Sequence, residues 1–176
     1  MLKAILILVA LVIAAILAYA AFKPDSFSLQ RTTVIAAPPE KIFALINDLH
    51  AFNTWNPFAV GDPSLKLDYQ GAAAGKGAGY SWRGDKAGIG RMEISESTPS
   101  SKVTMQLHFT KPMESNNIVD FTLEPQANAT QVTWAMRGPM NYMSKLMTTF
   151  ISMDKMVGSQ FEAGLSTLKS LVETAK

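Results

Sequence analysis

Apolar and polar positions change period twice along this chain. Residues 4–22 are continuously apolar, residues 29–137 carry mostly two-residue alternation, and residues 141–174 repeat every three or four positions. The first stretch, Ala4–Phe22, holds 19 residues without a charged or strongly polar group, which at 1.5 Å per residue nearly matches a ~30 Å hydrocarbon core. Ala18-Tyr19-Ala20 has the small-x-small form of a signal-peptidase site, but a secretory apolar region usually runs only ~7–15 residues. An uncleaved anchor over residues 1–23 is therefore expected ahead of a cleaved signal peptide. Lys3 and the α-amino group precede the run, whereas Lys23 is offset by Asp25, so the positive-inside bias places the N-terminus in the cytoplasm. In a Gram-negative bacterium this gives a single-pass inner-membrane protein with its domain on the periplasmic side.

Residues 24–28 read as a short tether and residues 29–176 as one domain. A first strand is expected over Leu29–Ala36. Pro38-Pro39-Glu40 then opens a helix, with proline suited to the first turn and an acid to the positive end. Ile42, Phe43 and Ile46 give that helix its apolar face, and a second short helix is expected near Leu49–Thr54. Six alternating segments follow, near Leu65–Gln70, Ala78–Arg83, Gly88–Glu96, Lys102–Thr110, Asn117–Glu124 and Thr130–Arg137. The chain ends in a single long amphipathic helix expected from Asn141 to Thr174. A 100° projection gathers Met143, Leu146, Met147, Phe150, Met153, Val157, Phe161, Leu165, Leu168 and Leu171 in one sector, opposite Lys145, Ser152, Ser159, Ala163 and Ser170.

Strand parity sorts the side chains. Leu67 and Tyr69, Tyr80 and Trp82, Met92 and Ile94, Val103 to Phe109, Val119 to Leu123, and Val132 to Met136 fall on the side facing the helix. Lys66, Asp68, Arg83, Arg91, Glu93, His108, Asp120 and Arg137 fall on the other. The interior of the sheet is thus expected to lack a general acid or base.

Charge and composition narrow the function classes. Without Lys3 and Lys23 the 16 basic residues drop to 14, equal to the 14 acidic ones, and a neutral domain is a poor nucleic-acid binder. Cysteine is absent and histidine occurs only at positions 50 and 108, which excludes thiolate chemistry and a histidine-rich metal site. No cofactor is called for. Gly71-Ala72-Ala73-Ala74-Gly75-Lys76-Gly77 departs from a phosphate loop in spacing and lacks the hydroxyl that would meet magnesium, so it reads as a hairpin loop at a cavity rim.

The segments Val34-Ile35-Ala36-Ala37-Pro38-Pro39-Glu40-Lys41-Ile42-Phe43 and Trp55-Asn56-Pro57-Phe58, together with the C-terminal helix, make the chain resemble the START-like, SRPBCC superfamily, which includes polyketide cyclase/dehydrase-like proteins. The resemblance covers residues 28–174. It implies an α+β helix-grip fold: a seven-stranded antiparallel sheet wrapped around a long C-terminal helix, with two short helices after the first strand. It also implies an apolar cavity for lipids, quinones, sterols or polyketides. The arginine and tyrosine constellation of the aromatase/cyclase branch has no match here.

The expected ligand-binding set is Trp55, Tyr80, Trp82, Met92, Met105, Leu107, Trp134, Met136, Met143, Met147, Phe150 and Asp154. Methionine adapts to varied apolar guests, and aromatic side chains at strand spacing serve as core or as stacking surface. Asp154 falls in the apolar sector of the projected helix. A carboxylate there needs a partner such as Arg31 or the Trp55-Asn56 segment, or else serves as a head-group anchor or acid/base. The expected function is binding of a hydrophobic small molecule or lipid. A cyclase/dehydratase-like enzyme and an envelope partner-binding module are the alternatives.

Overall fold

The computed structural model describes residues 1–174. Helix α1 (Leu2–Ala21) leads into β1 (Ser26–Ile35), and three short helices follow: α2 (Pro39–Asn47), α3 (Leu49–Trp55) and α4 (Pro57–Val60). Strands β2 (Lys66–Gly71), β3 (Ala78–Gly84), β4 (Gly88–Thr98), β5 (Lys102–Lys111), β6 (Ser115–Gln126) and β7 (Ala129–Pro139) form successive antiparallel hairpins. The sheet order is β1-β7-β6-β5-β4-β3-β2, so the first strand returns to pair with the last. The helix-grip fold is present, with two terminal helices, α5 (Tyr142–Phe150) and α6 (Ser159–Thr174), joined by a π-helical segment at Asp154–Gly158.

Local chemistry explains the short helices. Pro39 opens α2 at a position whose N–H has no helical partner. The Asp48 carboxylate accepts the His50 and Ala51 N–H groups to start α3, and the Asn56 side chain accepts Phe58 N–H to start α4. That fourth helix was not expected from the sequence. Ile42, Ile46, Leu49, Phe52 and Trp55 then plug one end of the sheet, each nearly solvent-free.

The terminal helix departs from the single expected rod. Ile151 is extended (φ −123°, ψ 124°) and closes α5. Thr148 and Thr149 both donate their hydroxyls to the Lys145 carbonyl, and side-chain bonds of this kind weaken a helix that β-branched residues already disfavour. The π-helical segment adds a residue to the following turn. Together these shift the angular phase, so one 100° projection cannot hold on both sides of the break. Beyond it Phe161, Leu165 and Leu168 are buried as expected, but Val172 rather than Leu171 completes the stripe. Before it the projection fails: Met143, Met147 and Phe150 are exposed, and Lys145 is buried against Asp25.

Candidate ligand site on the inner face of the sheet

Register stacks the inner-face side chains in rows across the strands. Trp134 lies opposite Phe121, which lies opposite Val103; one step along, Met136, Val119 and Met105 align. The next row runs through Tyr69, Tyr80, Met92, Leu107 and Asn117. Helix α6 closes over the first row by stacking Phe161 on Trp134, with ring centroids 4.0 Å apart and planes at 10°. Phe52 and Trp55 meet Phe121 and Trp134 edge-on at 5.7–6.4 Å, a geometry favoured by the ring quadrupoles.

The inner face therefore has two halves. One is packed solid with aromatic rings. The other is lined by the buried Met92, Met105, Leu107 and Met136, and Met153 and Val157 pack, partly buried, against the core as a whole. Thioethers rotate and repack at lower cost than aromatic rings, so this half is the more adaptable of the two.

Polar atoms inside this apolar surface are few and unevenly paired. Trp55 and Trp82 donate their indole N–H groups to the Leu45 and Ala87 carbonyls at 3.0 and 3.1 Å. Trp134 Nε1, fully buried, donates to nothing. Asn117 Oδ1, also buried, accepts from nothing, while its Nδ2 donates to Ser115 Oγ at 3.3 Å. The Asn117 amide lies against Gly138, where a Cβ would come within 2.0 Å of its oxygen. A buried polar atom without a partner costs about 1–3 kcal/mol, so each of these two requires a reason.

A third polar group sits at the β2–β3 end. Asn56 Nδ2 donates to Asn53 Oδ1 at 3.1 Å, and Asn53 Nδ2 donates to the Tyr69 hydroxyl at 3.2 Å. The Tyr80 hydroxyl reaches only the Met92 sulfur, at 3.8 Å. Burial pushes the Tyr80 phenol far above its ordinary range, with the Asn53 and Asn56 amides opposing weakly. It stays a protonated donor at any physiological pH. His50 stacks on Tyr69 at 3.7 Å and, with the β2–β3 loop, walls a 170 Å³ opening beside it. The Gly71–Gly79 loop thus stands at a rim. It is pinned by Gly75 N–H on the Asn47 carbonyl and takes positive φ at Gly71, Gly75 and Gly77. A larger, open groove of 580 Å³ lies on the polar outer face, beneath Arg91, Glu93, Gln106, His108 and Asn116.

The expected site residues divide accordingly. Trp55, Tyr80, Trp82, Met92, Met105, Leu107, Trp134 and Met136 come together on the inner face, all buried. Met143, Met147 and Phe150 do not line it, because the break after Phe150 turns α5 away. Asp154 does not line it either. Its side chain is 64% exposed and pairs with Arg31 at 2.8 Å, and Arg31 also pairs with Glu162 at 2.5 Å. The buried Gly158 permits this crossing, since a Cβ there would sit 2.3 Å from the Arg31 guanidinium. Of the readings of Asp154, the ion pair with Arg31 is the one the structure shows, at the surface; its placement as an interior anchor or acid/base is corrected.

Asn53, Asn117 and Phe161 complete the site but were not among the expected binding residues. Asn117 carried a legible signal, being a polar residue at inner parity just before Val119. Asp62 carried none. It closes the rim beside Trp82 by accepting Ser64 Oγ at 2.6 Å and the Lys86 and Ala87 N–H groups at 2.9 Å. The Ser64 hydroxyl and Ala87 N–H, chiefly, hold its carboxyl down to about 2. A depressed carboxylate stabilises fully above its ordinary value of 3.8 and loses that contribution as pH falls toward 2. Asp62→Asn is accordingly expected to lower the urea midpoint at pH 7 and to flatten its further decline at pH 3.

Comparisons with known proteins agree with this architecture. A family model described as "Polyketide cyclase / dehydrase and lipid transport" matches residues 26–173. Among solved structures, protein MLL2253 of Mesorhizobium loti superposes with a TM-score of 0.62 at 18% identity, over 85% of this chain and 99% of that one. The Aha1 dimer of Colwellia psychrerythraea gives 0.60 at 19% identity, over 85% and 98%. CalU16 of Micromonospora echinospora gives 0.55 at 14% identity, over 84% and 74%. No curated protein matches the sequence significantly.

Proposed function

The chain belongs to the polyketide cyclase/dehydrase and lipid transport family, and from that premise we propose that it binds a hydrophobic small molecule or lipid on the inner face of its sheet while tethered to a membrane. Residues 2–21 form one helix long and apolar enough to cross a bilayer. In this reading they anchor the protein in the inner membrane, with the domain, residues 29–176, on the periplasmic side. One observation carries the binding reading. A buried polar atom, Asn117 Oδ1, lacks a partner in the row of Leu107 and Met92, whereas the unpaired Trp134 Nε1 lies in the closed aromatic half. An amphiphilic guest would satisfy the Asn117 oxygen while its apolar body contributes ~25 cal/mol per Å² removed from water. Among the described residues of the inner face there is no carboxylate and no imidazole. That composition favours binding over acid–base turnover, and with Asp154 at the surface the enzyme alternative has lost its leading residue.

Asn117→Leu tests the reading because leucine has nearly the same branched shape. Removing the unpaired amide oxygen, at the cost of the long Nδ2 bond to the half-buried Ser115 hydroxyl, is expected to stabilise the ligand-free full chain by about 1 kcal/mol. The thermal shift given by oleate, a short-chain quinone or phosphatidylglycerol should shrink, reflecting up to about a tenfold loss of affinity for the loss of one hydrogen bond. Equal shifts for the wild type and the variant across all three probes would contradict it.

A further inference from the structure

Helix α5 leaves its apolar side uncovered and lies beside the end of α1. The Tyr142 hydroxyl donates to the Leu17 carbonyl at 3.0 Å, inside the apolar run of α1. At the polar end of that run Lys23 donates to Thr148 Oγ1 at 3.2 Å, and Asp25 pairs with Lys145. These three contacts fix the depth of α5 relative to α1. Leu17 is five residues before Phe22, a rise of about 7.5 Å. An amphipathic helix lying in a bilayer interface buries its apolar side to roughly this depth, ~5–10 Å.

The side chains on α5 match such a placement. Met143, Met147 and Phe150 follow the i, i+4, i+7 spacing of one helical face, Ile151 follows them at the extended end of the helix, and the four are 43–69% exposed. Lys145, the sole charged residue of α5, is turned inward onto Asp25. Tyr19 and Tyr142 are both exposed, Tyr142 reaching α1 at Leu17, two residues before Tyr19; amphipathic rings of this kind collect at membrane surfaces, and the Lys23 ammonium stands 5.7 Å over the Tyr19 ring.

We propose that α5 is a second membrane contact: an interfacial helix whose face of Met143, Met147 and Phe150, continued by Ile151 at its end, is covered by the lipid bilayer into which α1 inserts. The proposal rests on the anchor reading of α1. Its consequence is orientation. Because α5 follows directly from β7, and Met140 N–H bonds the Asp25 carbonyl, the bilayer would lie against the strand ends that carry Asn117 and Gly138. A tether alone would leave the domain free to tumble; two contacts hold the methionine-lined half of the inner face toward the lipid.

The cysteine-free sequence permits single-site labelling of the full chain. Phe150→Cys, Leu8→Cys and Ala127→Cys, all at exposed positions and the last in the β6–β7 turn at the opposite end of the sheet, would each carry a spin label in phosphatidylcholine/phosphatidylglycerol vesicles. Collisions with apolar oxygen and with a water-soluble nickel chelate would then be compared. The expected result is oxygen exceeding nickel at positions 8 and 150, with the reverse at position 127. A label at position 150 that meets mainly nickel while position 8 meets oxygen would overturn the α5 proposal and leave the anchor standing. Nickel-dominated collisions at both positions would overturn the anchor reading and the proposal with it. A label at position 150 that is shielded from both and broadened by a neighbouring label would mean that a second copy of the chain covers this face, which also overturns the proposal.

Discussion

Truncating Phe161 to alanine is expected to destabilise the protein by about 3–5 kcal/mol, close to the whole margin of a marginal domain. Phe161 is 1% exposed and is the stacking partner of Trp134 from α6. Its removal leaves a void bounded by rings that already pack edge-on among themselves, so the site has little freedom to collapse. Leu165 and Leu168 would keep α6 on the sheet, but the closure over the Trp134 row would be lost. Equilibrium urea unfolding measures this directly: a midpoint within experimental error of the wild type would mean that α6 is held by something other than this stack. Phe161→Leu, which refills part of the volume, should recover more than half of the loss.

Gly164→Ala is expected to destabilise by about 1–3 kcal/mol, against the usual direction of that change within a helix. On propensity alone alanine would gain ~1 kcal/mol over glycine in a helix interior. At this position a Cβ would stand 2.7 Å from Trp134 Cζ3 and 2.9 Å from Pro57 Cδ. Neither neighbour can yield easily, since Trp134 is held by four other rings and Pro57 is the first residue of α4. Crowding therefore wins over propensity. The glycine is what lets α6 approach the sheet closely enough for Phe161 to stack. A rise in the urea midpoint for Gly164→Ala would show that the helix rides further from Trp134 than this contact requires.

The strands and the inner-face residues were legible because both faces of the sheet obey a two-residue period. Tyr80, Trp82, Met105, Leu107, Trp134 and Met136 need only parity to be placed. The terminal helix was legible in its second half and misread in its first. A projection assumes constant twist, and the run Thr148-Thr149-Phe150-Ile151 together with the π-helical segment breaks that assumption. Asp154 was misplaced for the same reason: its apolar neighbours in projection are not its neighbours across the break. Asp62 and Asn53 act through partners distant in sequence or on other elements, as in the grip of Asp62 on Lys86 and Ala87, and no local pattern announces such a contact. The sequence pattern marks the apolar residues of α5 as a methionine-rich face but points that face inward, whereas Met143, Met147 and Phe150 are exposed. Their outward orientation goes with the inward turn of Lys145, whose buried side chain pairs with the exposed Asp25 of the tether.

The central claim, a hydrophobic ligand held on the inner face, is tested most directly by native mass spectrometry of the full chain released gently from membranes, followed by organic extraction of what it carries. The account predicts a discrete apolar or amphiphilic adduct on the folded protein, retained by wild type and depleted in Asn117→Leu. A wild-type chain that is folded, carries no adduct, and takes up neither lipid nor quinone when these are supplied would contradict it.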